Sequence, residues 1–345
     1  MKRILVLYAE VMPYTVAVIR ELVKSDCFVY VVRWTNNNLT PYIPPSLLNV
    51  IYYDRSTFNT HKELLLLIED IKPDLIWTSG WMDKMYCKAA GVFRKKSHIP
   101  VLAGSDTQWK GGKQWLNVIF SSFRHKCWFS HILITGLWQY EYARRLGFSQ
   151  YQILQPNYSA DTSLFFKVDI EKKKKLYPKN LLFVGRFSEV KGLLSLLSAW
   201  KSISDKKAWN LTLIGNGSLK EVLQEYSDIT VKDFMSQEDL VMEMQNSGAL
   251  ILPSIFEPWA LVLHEAAAAG LPILASRCCG AVPYFVLENY NGYLFVPDDI
   301  ASIDLAINRL INSSDEQLIT MSYRSRELSR RITPDIVANS LLSVL

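Results

Sequence analysis

The sequence predicts an α/β protein with two tandem domains, each built on a parallel sheet that helices cover on both faces. Three observations lead to this prediction. The chain has 345 residues, enough for two domains with cores of their own. Short apolar segments alternate with amphipathic segments of helical length, which is typical of parallel strands buried on both faces. The alternation pauses once, near residues 156–180, and then restarts.

The first half of the chain is predicted to contain six strands and at least three helices. The strands are Ile4–Tyr8, Phe28–Val32, Val50–Tyr53, Leu75–Thr78, Val101–Ala103 and Ile132–Thr135. The helices are Val16–Val23, Lys62–Ile71 and Lys84–Phe93. We interpret the first apolar run as a buried strand and not as a signal peptide, because Glu10 interrupts it before it is long enough.

The pause in the alternation predicts the junction between the domains. It contains Pro156-Asn157, the basic run Lys172–Lys175 and Pro178. A run of like charges is usually a solvated face or a linker. We therefore expect an N-terminal domain at residues 1–165, a C-terminal domain at residues 166–330 and a terminal helix at residues 331–345.

The second half repeats the alternation of strands and helices. Its predicted strands are Leu181–Val184, Leu211–Ile214, Ile229–Val231, Leu250–Leu252, Ile273–Ala275 and Tyr293–Phe295, and its helices include Leu193–Ile203 and Ala260–Ala269. Ligands of parallel sheets bind beyond the carboxyl ends of the strands. We therefore expect the two domains to face a common cleft that contains the functional site.

Composition and charge exclude several classes of protein. With 49% hydrophobic residues the chain is not disordered, and no uninterrupted apolar stretch is long enough to span a membrane. The net charge is +5, but residues 1–165 carry 19 basic and 12 acidic residues (+7) and the remainder 19 and 21 (−2). A basic half suits an anionic partner, although scattered solvated lysines would give the same sum. The five cysteines show no C-x-x-C spacing and favour a reducing cytoplasm.

The most informative segment is Pro253–Glu265, in which Glu257 and Glu265 are separated by seven residues. Pro258 fits the first position of a helix, which would put Glu257 at the start of that helix and Glu265 about two turns along it. The free N–H groups of Ala260 and Leu261 would then attract phosphate. An ordinary amphipathic helix with two surface glutamates would show the same pattern.

Two glycine-containing turns follow predicted strands of the second half. Gly185 comes directly after a strand and is followed by Arg186, while Lys191 opens the next helix; two cations there would clamp a diphosphate. Two exposed basic residues in a loop would look the same. Gly215 opens a second such turn, Gly215-Asn216-Gly217. The chain contains neither G-x-G-x-x-G nor a P-loop, and the absence of D-x-D favours chemistry without a metal ion.

The first half offers one candidate catalytic residue and one candidate docking segment. Asp106 follows a predicted strand and would orient an acceptor hydroxyl, or else cap a turn. The segment Trp109–His131 mixes aromatic residues with Lys110, Lys113, Arg124 and Lys126. It fits a helix lying on an anionic membrane as well as it fits a core-packed helix with solvated lysines. Nucleic acid is not expected, because no recognition motif accompanies the charge.

The order and spacing of these segments are similar to those of the family-4 glycosyltransferases, which have the GT-B fold of two Rossmann-like domains facing a cleft. The matching segments, spread over about 140 residues, are Gln155–Phe165 (the inter-domain PNGVD segment, with Tyr158 in place of glycine), Phe183–Gly192 (VGR and KG), Leu213–Gly217 (GxG), Pro253–Glu265 (the paired glutamates), Ala275–Gly280 and Asn291-Gly292.

This resemblance implies a retaining transfer of a sugar from a nucleotide diphosphate sugar, with a UDP-sugar favoured and no further cofactor. Arg186 and Lys191 would bind the diphosphate, with backbone donors from Ala260 and Leu261. Glu265 would hold the ribose and Glu257 the hydroxyls of the transferred sugar. The nucleotide base would lie near Lys232, Asp233 and Phe234.

The resemblance is weaker on the acceptor side. The family has a glycine-rich turn after its first strand, whereas this chain has Ala9–Thr15 without glycine, so Thr15 and the first amide groups of the following helix would serve there instead, with Tyr14 also on the acceptor side. The expected acceptor is a surface glycan or a lipid-linked sugar, used in the cytoplasm at the inner face of a membrane. A nucleotide-sugar epimerase of the same fold and a sugar-nucleotide-binding module without activity remain alternatives. A Rossmann oxidoreductase is opposed by the missing glycine fingerprint.

Overall fold

Strands of two to seven residues, most of which are largely buried, form two separate parallel sheets. The computed structural model describes residues 1–35 and 42–345. The chain divides into two compact units: unit 1 comprises Met1–Ser159 and Pro334–Leu345, and unit 2 comprises Ala160–Thr333. The division falls six residues before the boundary that the sequence predicts. No helix of the described ranges is both long enough and apolar enough to cross a membrane.

Unit 1 has a seven-stranded sheet in the order β3-β2-β1-β4-β5-β6-β7, with every pair of neighbours parallel. Its strands are β1 (Lys2–Tyr8), β2 (Cys27–Arg33), β3 (Val50–Asp54), β4 (Leu75–Thr78), β5 (Val101–Ser105), β6 (His131–Ile134) and β7 (Ile153–Leu154). Its helices are α1 (Pro13–Lys24), α2 (His61–Ile71), α3 (Lys84–Ser97), α4 (Gln114–Ile119), α5 (His125–Trp128) and α6 (Leu137–Arg145).

The sheet of unit 1 separates two hydrophobic cores. Successive side chains of a strand point to opposite faces. Leu5 and Leu7 of β1 therefore join the core that α2 and α3 cover, while Ile4 and Val6 join the core that α1 covers. This burial on both faces explains why the strands are almost wholly apolar in sequence.

Unit 2 has a six-stranded parallel sheet in the order β10-β9-β8-β11-β12-β13. Its strands are β8 (Asn180–Val184), β9 (Asn210–Ile214), β10 (Thr230–Lys232), β11 (Ala249–Leu252), β12 (Ile273–Ser276) and β13 (Gly292–Phe295). Its helices are α7 (Thr162–Phe165), α8 (Ile170–Lys175), α9 (Leu193–Ser202), α10 (Lys220–Gln224), α11 (Gln237–Gln245), α12 (Leu261–Ala268), α13 (Val282–Phe285), α14 (Ile300–Ile311) and α15 (Asp315–Ser329).

The basic run Lys172–Lys175 is part of a helix and not a linker, and three of its four lysines are solvated as expected, but Lys173 is not. It belongs to α8, which Asp169 caps by accepting hydrogen bonds from the N–H groups of Glu171 and Lys172. Lys173 is buried, and its Nζ donates to the carbonyl oxygens of Met244 and Ser247 at 2.8 and 2.7 Å. These bonds compensate for burying the amine, while burial itself lowers its pKa to about 7.

The last helix, α16 (Pro334–Leu342), packs against α1 in unit 1. Val337, Ala338 and Leu341 are buried in the same core as Val18 and Leu22 of α1. Helix α16 follows unit 2 in sequence, but its apolar side chains pack in the core of unit 1.

Candidate active site

Two loops of unit 2, which follow β8 and β9, are hydrogen-bonded to each other. Gly185 N–H donates to the carbonyl oxygen of Ile214 at 3.0 Å, and Phe187 N–H donates to that of Asn216 at 2.9 Å. Phe187 is buried and anchors the first loop, whereas the side chain of Arg186 beside it is exposed. Within the described ranges the Arg186 guanidinium forms no ion pair. Its charge is therefore available to an anion in solution.

The glycines of the second loop are required by the closeness of the first. A Cβ on Gly215 would lie 1.9 Å from the carbonyl oxygen of Gly185, and one on Gly217 would lie 2.4 Å from that of Phe187. Both distances are far inside van der Waals contact. The G-x-G spacing therefore reflects a close contact between two backbones. This contact holds the loop after β9 against the loop that carries Arg186.

Lys191 and Glu257, which are 66 residues apart in sequence, form an ion pair. Lys191 ends the 3-10 turn Glu189–Lys191 between β8 and α9, and Glu257 lies between β11 and α12. Both side chains are largely buried, with 20% and 13% of their surface exposed. Ser254 Oγ donates a long hydrogen bond to the same carboxylate oxygen at 3.4 Å. The pair puts one cation and one carboxylate beside the β8 loop.

The backbone around Glu257 is fixed by the loop after β12. Gly280 N–H donates to the Glu257 carbonyl oxygen at 3.0 Å, and Ala281 N–H donates to that of Trp259 at 2.7 Å. A Cβ on Gly280 would lie 2.0 Å from the carbonyl oxygen of Pro258. The loop after β12 thus holds the segment that carries Glu257 in position.

Helix α12 begins at Leu261, so the expectation that Pro258 opens it was wrong. The reason is Ala260, whose φ of 78° lies in the left-handed region and turns the chain immediately before the helix. Glu265 is consequently the fifth residue of the helix, and Glu257 lies in an extended bridge with Cys279. The N–H groups of Leu261 and Val262 have no partner within the helix, as at any helix start.

Glu265 is buried on α12, and burial raises its pKa to about 7. Its only hydrogen-bond donor within the described residues is Gln237 Nε2, which lies 3.0 Å from Oε1. A buried carboxyl with one oxygen still open can accept hydrogen bonds from a pair of hydroxyl groups. Such donors would favour the ionised form.

The residues expected near the nucleotide base lie at the end of β10. Lys232 Nζ pairs with Glu243 Oε1 at 2.6 Å, and Asp233 pairs with Lys220. The Lys232 carbonyl oxygen accepts a hydrogen bond from Gly215 N–H at 3.0 Å, so β10 ends beside the loop after β9. Phe234 is half exposed and offers a ring face to solvent.

In unit 1, Asp106 and Tyr14 are electrostatic neighbours at the carboxyl end of the sheet. Asp106 follows β5 directly, and its carbonyl oxygen accepts a hydrogen bond from Gln139 Nε2 at 3.2 Å. Tyr14 is the second residue of α1, and its ring meets that of Tyr158 edge-to-face at 5.3 Å. Burial first and Asp106 second raise the pKa of Tyr14 to about 12. The phenol therefore stays protonated and can donate a hydrogen bond.

Thr15 is buried, and the start of α1 does not resemble a glycine-rich phosphate turn. Pro13 is the first helical residue and has no N–H, while the N–H groups of Thr15 and Val16 both donate to the Met12 carbonyl oxygen. These two amides are therefore unavailable to a ligand. The expectation that Thr15 offers its amide in place of the missing glycines was wrong.

Residues 165–327 match the family model described as glycosyl transferases group 1. This range covers nearly all of unit 2. Unit 2 of this chain is therefore similar to the group 1 glycosyl transferases. All the donor-side residues discussed above, from Gly185 to Glu265, lie inside the matched range.

Relatives and solved structures agree with this assignment. An uncharacterized glycosyltransferase of Haemophilus influenzae is 32% identical over 164 residues, 46% of either chain. The lipopolysaccharide 1,6-galactosyltransferase of Escherichia coli is 25% identical over 259 residues, 71% of this chain and 67% of that protein. HepE of Anabaena, solved in complex with UDP-glucose, shares the fold with a TM-score of 0.75 and 15% identity over 100% of both chains. Matches to several of the curated relatives, the first among them, span under half of their length.

The fold prediction is confirmed: the chain has the GT-B fold with two Rossmann-like domains on parallel sheets of seven and six strands. No group of three His, Cys, Asp or Glu side chains that could hold a metal ion occurs in residues 1–35 and 42–345. His264, next to Glu265, is buried, and its two ring nitrogens meet Ala160 N–H and the Ser329 carbonyl oxygen at 3.0 Å each. Its role is structural.

The contacts of three further residues, Gln237, Tyr158 and Cys278, were not predicted from the sequence. Gln237 is the hydrogen-bond partner of Glu265, but nothing in its sequence context distinguishes it. Tyr158 was noted only as a departure from glycine, yet its ring contacts Tyr14. Cys278 lies beside the glutamate segment, where its Sγ contacts the Ser254 carbonyl oxygen at 2.9 Å; a hydrogen bond from Cys279 lowers its pKa to about 7.

Proposed function

We propose that this chain transfers a glycosyl group from a nucleotide diphosphate sugar to a hydroxyl group of an acceptor. The observation that carries the proposal is the Lys191–Glu257 pair, which lies beside the exposed Arg186 at one end of the unit 2 sheet. This arrangement offers cations for a diphosphate and a carboxylate for sugar hydroxyls. The match of residues 165–327 to the family model of the group 1 glycosyl transferases supports it.

On the donor side, Arg186 and Lys191 bind the diphosphate, and the amides of Ala260, which precedes α12, and of Leu261, which opens it, add neutral donors. Glu265 accepts hydrogen bonds from the ribose hydroxyls through its open carboxylate oxygen. Glu257 orients the transferred sugar. Three positions at the end of β10, Lys232, Asp233 and Phe234, flank the base. A UDP-sugar is favoured, since HepE, which shares the fold, was solved with UDP-glucose.

The proposed reaction breaks the bond between the anomeric carbon and the diphosphate oxygen and forms one between that carbon and the acceptor oxygen. The negative charge that grows on the leaving diphosphate is stabilised by Arg186 and by Lys191, which Glu257 holds in place before the reaction begins. The proton of the acceptor hydroxyl passes to the departing diphosphate. Attack occurs on the face that the diphosphate leaves, so the anomeric configuration is retained and no metal ion is needed.

Glu257 is assigned to substrate binding and not to covalent catalysis. Its carboxylate is already paired with Lys191, and a carboxylate neutralised by an ion pair is a poor nucleophile. Glu265 has a different role, because only Gln237 donates to it and burial keeps its pKa near 7. Burial therefore leaves Glu265 partly protonated near neutral pH.

On the acceptor side, Asp106 orients or deprotonates the attacking hydroxyl, and Tyr14 contributes a protonated phenol. Thr15 shapes the site from beneath, since it is buried. We propose a surface glycan or a lipid-linked sugar as the acceptor, in the cytoplasm at the inner face of a membrane. The similarity to a lipopolysaccharide galactosyltransferase and the free state of all five cysteines support this proposal.

A panel of nucleotide sugars, each with and without glycan acceptors, tests the proposed function. Release of nucleoside diphosphate that rises with acceptor concentration is the expected result. Interconversion of the donor sugar would identify an epimerase, and binding without turnover would identify a module that lacks activity. Arg186→Ala should abolish the release, while Lys201→Ala, which removes an exposed cation from α9, should not.

A further inference from the structure

Helix α4 exposes large apolar side chains to solvent on one side, while Asn117 and Val118 on its other side contact unit 1. Trp115, Leu116, Ile119 and Phe120 lie on one face of this turn of chain, and Phe123 follows in the next 3-10 turn. We call these five residues the aromatic face. Between 46 and 80% of the surface of each is exposed. A soluble monomer rarely exposes so many large apolar side chains in nine residues.

The aromatic face is rigidly held, because the other side of the segment is anchored in unit 1. Asn117 Nδ2 donates to the Tyr142 hydroxyl at 3.0 Å, and Val118 packs on the core beneath. Buried Ser121 donates to the Leu146 carbonyl oxygen at 2.6 Å. The exposed residues therefore cannot turn inward without breaking these contacts.

Positive charge surrounds the aromatic face, and negative charge is absent from the segment that carries it. No Asp or Glu occurs between Asp106 and Glu141, while Lys113 and Arg124 are exposed there. The guanidinium of Arg124 lies 5.8 Å from the centre of the Phe120 ring, and that of Arg145 lies 5.6 Å from that of Trp115. Glu141 is neutralised by Arg145 at 2.7 Å.

We propose that the aromatic face docks on an anionic lipid bilayer, with the apolar side chains in the interfacial layer and the cations at the lipid phosphates. Aromatic rings flanked by Lys and Arg suit the boundary between head groups and acyl chains. An apolar face for another protein would not require a segment free of acidic residues. This inference does not rest on the proposed glycosyl transfer, since binding to lipid needs no nucleotide sugar.

Only part of the segment Trp109–His131, which was predicted as an interfacial helix, belongs to the proposed docking surface. Trp109 packs on Tyr142 with ring centres 5.9 Å apart, and Phe129 is buried, so neither residue can enter a membrane. The docking surface consists of the aromatic face and its flanking cations only. It is too short to span a bilayer and lies at its surface.

Co-sedimentation with vesicles tests the proposal. The probes are vesicles of phosphatidylcholine alone and vesicles with 30% phosphatidylglycerol, at low and high salt. The wild-type chain should bind the anionic vesicles at least tenfold more tightly than the neutral ones, and salt should weaken this binding. Equal partition to both kinds of vesicle, or none to either, would overturn the proposal.

A pair of variants identifies the surface that binds. Ile119→Glu with Phe123→Glu should lower the affinity for anionic vesicles at least tenfold and leave UDP binding unchanged. Leu66→Glu is the matched control, because Leu66 is 67% exposed on α2 of the same unit and should bind lipid like the wild type. Wild-type lipid binding by the double variant would contradict the proposal. So would a wild-type dimer that the double variant dissociates without any change in lipid binding.

Discussion

The turns that follow β1 in unit 1 and β8 in unit 2 occupy equivalent places in their sheets but carry opposite chemistry. Each strand lies inside its sheet and is followed by a helix, α1 or α9. The β8 turn has Gly185, two cations and backbone contacts to the next strand end. The β1 turn has no glycine, begins its helix with Pro13, and places Tyr14 near Asp106.

This contrast shows that the same topology can support recognition of two kinds of group. Exposed cations and free amides beside a glycine turn suit a charged diphosphate. The partly buried phenol of Tyr14 and the carboxylate of Asp106 suit neutral hydroxyl groups, which bind through hydrogen bonds. Each variant described next alters one of the two units and leaves the site residues of the other unchanged.

The largest effect is expected from Gly215→Ala in the glycine turn. Its Cβ would lie 1.9 Å from a backbone carbonyl oxygen, so the loops must separate, at a loss of about 3 kcal/mol or more of unfolding free energy. Gly147→Ala is the control: its φ is 86°, but nothing lies within 4 Å of the added atom, so only about 1 kcal/mol is expected. Urea unfolding followed by circular dichroism measures both. Equal midpoints would show that the turn is not constrained as described.

Lys191→Ala should lower kcat/KM for the donor about a hundredfold, because one cation that stabilises the leaving group is lost. The variant also leaves the largely buried Glu257 without its cation. Steady-state kinetics with Lys201→Ala as the control provides the measurement. A fall of less than tenfold would remove Lys191 from the diphosphate site.

Glu265→Gln should stabilise the protein by about 2 kcal/mol at pH 8, although it weakens donor binding. The folded pKa of about 7 lies above the unfolded value of about 4.5, so the wild type loses stability as pH rises between these two values. The variant has no carboxylate to bury at this position, so this position should cost it no stability as the pH rises. Thermal melts at pH 4.5 and pH 8 give the comparison, and parallel pH profiles for the two proteins would refute the assignment.

The smallest effect is expected from Asp106→Asn on the acceptor side. Turnover with acceptor should fall about tenfold, since the amide orients a hydroxyl less well than a carboxylate does. The affinity for UDP should stay unchanged, because the donor residues all belong to unit 2. Titration calorimetry and initial rates separate the two effects. A weaker affinity for UDP would place Asp106 on the donor side.

Most of the sheet could be predicted from sequence, because strands buried on both faces are apolar throughout. All twelve predicted strands exist, with ends shifted by one or two residues. The edge strand β7 was missed, since Ile153–Leu154 gives too short a run to show a pattern. The burial of Lys173 was missed for another reason: its carbonyl partners, Met244 in α11 and Ser247 just after that helix, are about seventy residues away in sequence.

The sequence indicated which residues belong to the candidate site, but not which contacts they make. Spacing identified Glu257 and Glu265, yet the pairing of Glu257 with Lys191 depends on how two distant loops meet. The start of α12 was misjudged because a left-handed Ala260 has no signature in sequence. Gln237 stayed hidden for the same reason, as a long-range partner chosen by the fold.

The central claim is that unit 2 binds a diphosphate between Arg186, Lys191 and the start of α12. Titration calorimetry of UDP and of uridine into the wild type and Arg186→Ala tests it most directly. UDP should bind the wild type at least a hundredfold more tightly than uridine does, and Arg186→Ala should remove most of this difference. Equal affinities of the wild type for UDP and uridine would contradict it.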